Sequence, residues 1–303
     1  MSRWLKRIGL LVLGLVVLLV IALAGIWGAS SAAFAKNLDS VVPATRIDVP
    51  TDSASVERGR HIATAITKCI GCHTPGLTGQ VMIDDPAFGV LTASNLTAGP
   101  GGVIGHYDDA HLARAIRHGV AWDGRPLLFM PSAEYNHLSD EDLAAVMAWV
   151  RAARPGQTAW PASKMGPIPR LLFVLGKFPD LVPSRTIDHR AKPALVVPRV
   201  TVDYGRYLAT VGGCVGCHGP GLSGGHSPGA PPEIPLATNI TPTGIGNWSD
   251  ADFVRALREG KRPDGTGINE FMPWRLAGQM TDPEIQALWM YLRTVQPRPT
   301  GTR

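Results

Sequence analysis

The sequence holds no stripe of basic residues interleaved with aromatics, no stretch that alternates well enough to read as a strand, and no strand–helix–strand pattern. It also lacks a serine–histidine–aspartate triad, a pair of carboxylates at catalytic spacing and a phosphate-binding loop. The first absence sets nucleic acid aside as a partner, although the net charge is +5. Arg3, Lys6 and Arg7 stand in front of a long apolar run, and without them the remainder carries only +2. The missing catalytic constellations weigh against an enzyme. Cysteine is scarce as well, with four residues in two pairs of the same form.

Charged and strongly polar side chains are absent from residues 8–27. Twenty residues at about 1.5 Å each span about 30 Å, the thickness of a bilayer core. The basic residues before this run place the N-terminus in the cytoplasm and everything after it outside. A cleaved signal peptide is the competing reading, since Ala33-Phe34-Ala35 is a small-x-small site and would leave a chain starting at Lys36. The run is longer than a signal core, which favours a retained single-pass anchor. Both readings export the rest of the chain.

That rest is a duplication. Residues 57–63 and 203–209 match, as do Cys69-Ile70-Gly71-Cys72-His73 and Cys214-Val215-Gly216-Cys217-His218. The correspondence continues with Asn95-Leu96-Thr97 and Asn239-Ile240-Thr241, then with 109–119 and 250–260. Phe129-Met130-Pro131 and Phe271-Met272-Pro273 follow, and 138–151 and 280–293 complete the series. Each copy predicts three helices: about 56–68 and 203–212, about 109–118 and 250–259, and a third starting after Ser139 or Thr281 as N-cap. The expected fold is all-α. Glycine (34) and proline (26) are plentiful, and the long stretches 75–107 and 220–247 read as loops that wrap something other than side chains. The division expected is an anchor or signal at 1–35, domains at 50–154 and 201–298, and a proline-rich linker at 155–200. Within the linker, the apolar run 168–178 is too short to cross a bilayer and is expected to pack between the domains, with a membrane-surface or partner contact as the alternative.

The two Cys-x-x-Cys-His motifs have the spacing that c-type haem attachment requires. Two thiols on one tight turn reach both vinyl groups, and the adjacent His73 or His218 becomes the proximal iron ligand. A redox dithiol would sit in a strand–helix–strand unit, and zinc would want four ligands close together. Cys69, Cys72, Cys214 and Cys217 are therefore expected to bind two covalent haems c. Met130 and Met272 occupy matched Phe-Met-Pro sites and are the expected distal ligands, because the other methionines have no counterpart in the opposite copy. Core filling is the alternative role for them. His118 and His137 are alternative ligands in the first copy, but Glu259 and Gln279 replace them in the second, so a solvated surface position is expected. Trp248, Arg60 and Arg206 are weaker candidates for bonding the haem propionates.

On these motifs the chain resembles the class I cytochromes c, and specifically the dihaem and membrane-anchored cytochrome subunits of periplasmic dehydrogenases. The resemblance covers 57–153 and 203–297. It implies tandem cytochrome c domains in the periplasm behind a transmembrane helix, and a later Met-Pro as distal ligand. The Asn-x-Thr triplets, which also match a glycosylation acceptor, are expected to anchor loops. Those subunits commonly carry three haem motifs where this chain has two. The implied function is electron relay to or from a redox partner: a dehydrogenase, a quinol-linked complex or a terminal oxidase. Rival readings are a peroxidase-type dihaem enzyme, which needs an open iron position, and a purely structural subunit that docks a dehydrogenase.

Overall fold

The computed structural model describes residues 3–42, 44–193, 195–227, 230 and 233–302. The first two residues of the expected anchor segment, residue 194 of the linker, and 228, 229, 231 and 232 of the expected loop 220–247 lie outside the described residues. The elements run α1 (Arg3–Phe34), α2 (Ser53–His61), α3 (Ile70–His73), β1 (Gln80–Asp85), β2 (Gly89–Ala93), α4 (Asp109–His118), α5 (Ser132–Tyr135) and α6 (Asp140–Arg151). After them come β3 (Lys164–Met165), α7 (Pro167–Val174), α8 (Val202–Val211), α9 (Cys214–His218), α10 (Pro242–Ile245), α11 (Asp250–Glu259), α12 (Trp274–Ala277) and α13 (Asp282–Thr294).

The molecule is mainly helical, and its two copies fold alike. Each third helix starts on its expected cap: Ser139 Oγ accepts from Asp142 N, and Thr281 Oγ1 accepts from Glu284 N. Glu284 in turn accepts from Thr281 N, closing a capping box. The second helices stop at Gly119 and Gly260, both left-handed at φ 65° and 66°. In each copy the first helix crosses the third at a glycine. A Cβ on Gly59 would collide with the Ala145 carbonyl oxygen, and one on Gly205 with that of Ala287. The crossings bury Leu143, Met147, Ile285 and Leu288 in one apolar core that runs through both copies.

Three features depart from the sequence expectation. The stretch 75–107 contains an antiparallel hairpin, β1 on β2, extended by β3 from the linker. A register shift between Val81 and Ile83 breaks the alternation there, so no period-two signal is written in the sequence. The first helix of copy one is α-helical only to His61 and widens into a π-turn over Ile62–Ile66, where the Thr67 amide and hydroxyl both donate to Ile62 O. The run 168–178 does not pack between the copies. It forms α7 against the end of α1, with Phe34 and Phe173 ring centroids 5.3 Å apart. The following Phe178, Leu181 and Val182 close a small core with Leu91 and Met165.

The copies meet across a pseudo-twofold junction. Buried Asp142 binds Arg58 of its own copy and accepts from Tyr207 Oη of the other at 2.6 Å. Buried Glu284 likewise takes Tyr204 Oη of its own copy at 3.5 Å and His61 Nε2 of the other at 2.8 Å. Arg58 and Tyr204 are equivalent positions, as are His61 and Tyr207. Burial pushes the Glu284 carboxyl up, but the bonds from His61 and Thr281 outweigh it and leave the pKa below its ordinary value.

Gly59→Ala and Gly205→Ala separate propensity from packing. Helix propensity alone would stabilise each variant by about 0.8–1.0 kcal/mol. Overpacking costs about 1–3 kcal/mol or more, and backbone atoms cannot step aside. Thermal unfolding should show each variant about 1 kcal/mol or more less stable; a raised melting temperature would refute the close crossing.

Candidate haem sites

The end of each first helix delivers the cysteines. The residue before the first cysteine takes a left-handed turn in both copies: Gly213 at φ 70°, and its equivalent Lys68 at φ 56°. The next residues form a short helical turn, α3 or α9, with Cys, Cys and His on it. No disulfide joins any of the four cysteines. Burial pushes the thiols of Cys69, Cys72 and Cys214 up, so they are poor thiolates as they stand.

The chain after each histidine follows one path twice. Gly79 N donates to His73 O at 3.0 Å, and Gly224 N to His218 O at 2.8 Å. Leu77 and Leu222 are both buried with left-handed backbones at φ 57° and 56°. The imidazoles are fixed in the same manner, with His73 Nδ1 bonded to Ser94 O at 2.9 Å and His218 Nδ1 to Thr238 O at 2.6 Å. A carbonyl partner on Nδ1 sets the tautomer with the proton on Nδ1 and the lone pair on Nε2.

Asn95 and Asn239 are buried, which removes them as glycosylation acceptors and assigns them the anchoring role. Each side-chain oxygen accepts from the threonine amide two residues on, while Nδ2 donates to Thr158 O at 3.0 Å or Arg298 O at 2.8 Å. The segment following each third helix is thereby tied under the histidine loop.

Both expected distal ligands share a cavity with their own motif. The second, about 150 Å³, is walled by Cys214, Cys217, His218, Met272, Trp248 and apolar residues of α11 and α13. The first, about 90 Å³, is walled by Cys72, His73, Met130, Phe129, Leu91 and Thr92. Thr92 Oγ1 is buried there and has no hydrogen-bond partner among the described residues. The donor chemistry, two thiols with one imidazole and one thioether beside an apolar space, fits haem c in both places.

The other candidates fall differently. Trp248 lines the second cavity, but Arg60 pairs with Glu57 and Arg206 with Asp203, and neither arginine lines either of the two motif cavities. His137 is exposed as expected. His118 is not: it is buried, and its Nδ1 lies 3.1 Å from that of His189. Burial first, then His189, holds its pKa down at about 4. The linker supplies this partner, which the pairwise comparison of the copies did not include.

Two residues went unnoticed in the sequence. Arg262 lines the second cavity, but alanine holds its place in the other copy, so the repeat gave no signal. Lys68 reaches across the junction. Its Nζ donates to Ile66 O at 2.7 Å and to Gly212 O, beside the other cysteine turn, at 2.8 Å. Burial pulls its pKa down. One side chain thus spans the two cysteine turns.

Comparison with known proteins accords with this duplicated geometry. The family model for cytochrome c oxidase, cbb3-type, subunit III matches residues 54–150, and the cytochrome c model matches 202–296. Both halves of this chain are cytochrome c domains. The chain is 28% identical to the cytochrome c subunit of a quinone alcohol dehydrogenase from Gluconacetobacter polyoxogenes, over 82% of this chain and 57% of that protein. It is 29% identical to a fructose dehydrogenase cytochrome subunit of Gluconobacter japonicus, over 80% and 52% respectively. A dihaem c-type cytochrome of Cereibacter sphaeroides is 26% identical over 75% of this chain and 81% of its own length. The chain therefore spans little more than half the length of the two dehydrogenase subunits.

Lys68 carries a test of the bridge between the cytochrome c domains. Lys68→Gly relieves the left-handed backbone, worth about 1 kcal/mol, whereas Lys68→Met keeps that strain. Both leave two carbonyls without the ammonium, a loss of about 2 kcal/mol. Melting should rank wild type above Lys68→Gly and Lys68→Gly above Lys68→Met. A Met variant as stable as wild type would contradict the bridge.

Proposed function

We propose that the chain is an electron carrier and not an enzyme: a dihaem c-type cytochrome held at the periplasmic face of the cytoplasmic membrane. In this reading it divides into an anchor (1–35), two haem domains (50–154 and 201–298) and a linker (155–200). The observation that carries the relay is the Lys68 bridge, because it brings the two cysteine turns to one junction. Haem c, when bound, supplies a one-electron change at its iron.

The chain's own residues do the rest. Cys69 and Cys72, with Cys214 and Cys217, would hold the two haems through thioethers. His73 and Met130 would be the ligands in the first domain, and His218 and Met272 in the second. Ser94 O and Thr238 O hold the imidazoles each in one orientation. The walls around Met272 are mainly apolar, which limits the polar reorganisation that a change of charge there would require. The dehydrogenase-subunit relatives support a dehydrogenase as redox partner, and a quinol-linked complex or terminal oxidase is the alternative.

A helix of 32 residues with mean hydropathy 3.0 in its most apolar window supports the anchor. Arg170 of α7 supports its retention, since it donates to Ser30 and Ser31 Oγ at 2.7 and 3.0 Å. Cleavage before Lys36 would remove both partners.

Met130→Ala and Met272→Ala test the carrier reading. Each should make one iron high-spin, let carbon monoxide bind at that haem alone and lower its potential, while the other haem keeps its spectrum. Rapid carbon monoxide binding and peroxide turnover by the unmutated protein would favour the peroxidase reading. An unchanged first-haem spectrum in Met130→Ala would remove Met130 as the ligand.

A further inference from the structure

The short helix α7 carries an apolar stripe that nothing in the fold covers. Leu172 and Phe173 face inward, packed with Phe34 on the core of Phe178 and Leu181. Ile168, Leu171 and Leu175 recur at helical spacing on the outside, 48%, 40% and 60% exposed. Both faces of α7 are thus apolar, and its one charged residue is Arg170. That guanidinium turns back onto α1, where it lies 4.0 Å over the Trp27 ring and binds Ser30 and Ser31. A solvated helix would present polar side chains outward, and this one does not.

We propose that the outer face of α7 lies in the membrane–water interface, in contact with lipid, beside the emerging end of α1. This inference rests on the anchor reading. Its support is continuity: the run of α1 without charged or strongly polar side chains ends at Trp27, and α7 packs on the next two turns, Trp27 to Phe34. At about 1.5 Å per residue that places α7 within about 10 Å of the hydrocarbon edge, the depth at which interfacial helices bury their apolar faces. Tryptophan at the end of the run suits the same level. Exposed Lys177 and Arg185 flank the stripe, the charge that anionic headgroups attract.

The consequence is a fixed seating for the first domain. Asp39, just past α1, pairs with buried Arg114 of α4 at 2.6 Å, and Leu38 N donates to Gly124 O at 2.8 Å. From the other side, Leu181 O accepts from Phe129 N at 3.0 Å, and Phe129 packs edge-on to Phe178. The Met130 loop is therefore backed by the same segment that meets the lipid. The first domain would hold its distal side toward the membrane rather than swing on a tether.

Spin labels at Leu171→Cys, Leu175→Cys and Ile168→Cys in the full haem-loaded chain test this, with Leu15→Cys in α1 and Leu195→Cys, 91% exposed in the linker, as controls. The chain is reconstituted in vesicles of phosphatidylethanolamine and phosphatidylglycerol, and label collisions with oxygen and with a water-soluble nickel chelate are compared. The expected result is an oxygen-to-nickel ratio at the α7 sites several-fold above that at Leu195, approaching that at Leu15. Leu15 in lipid with the α7 sites as water-accessible as Leu195 overturns the inference and leaves the anchor standing. Leu15 itself in water overturns both. The haem spectrum of each variant checks that folding is unchanged, and three independent α7 positions guard against one that misfolds.

Discussion

Each domain depends on the close crossing of its first helix over its third. At Gly59 and Gly205 no side chain separates the two backbones, so the end of the first helix is fixed over the core. From that end the chain turns left-handed into the cysteine motif, and the histidine after it is met by a carbonyl from the following loop. The buried asparagines then tie that loop to the segment leaving the third helix. If the helices stood farther apart, the cysteines, the imidazole and the methionine would face a wider and wetter space. Precision at the site is inherited from a contact between two glycines and two carbonyls.

The junction between the domains repeats this economy with a twist. A buried acid at the third turn-residue of each last helix collects one donor from its own domain and one from the other. The sequence exchanges Arg58 for Tyr204 and His61 for Tyr207, yet both acids remain satisfied, as buried charge demands. Lys68 breaks the symmetry. Its equivalent is Gly213, which adopts the same left-handed backbone without strain. The first domain accepts that strain, and in return an ammonium ties the two cysteine turns together.

Much of this was legible because the chain is written twice. The cysteine motifs, the paired methionines, the caps Ser139 and Thr281 and the Asn-x-Thr anchors all repeat, and repetition separates requirement from accident. What does not repeat was harder to read. Among the described residues the hairpin β1–β2 has a single bridge, Gly225 with Ala237, as its counterpart in the second domain, and its bulge scrambles the alternation that would betray a strand. Arg262 and Lys68 each face a small residue in the other copy, so comparison gave them no weight. His118 looked like a surface residue because its partner, His189, sits in the linker outside either repeat. Likewise the apolar run 168–178 was sensed as a packing segment, but its partner is α1, and no periodicity within the run names a partner.

The central claim is that both matched turns hold haem covalently. Intact mass of the denatured chain after acid–acetone extraction tests it directly, because thioether-bound haem survives that treatment and ligated haem does not. The account predicts a mass above the polypeptide by two haem groups, with Cys69–Cys72 and Cys214–Cys217 peptides each carrying one. A chain that retains one haem or none would contradict it.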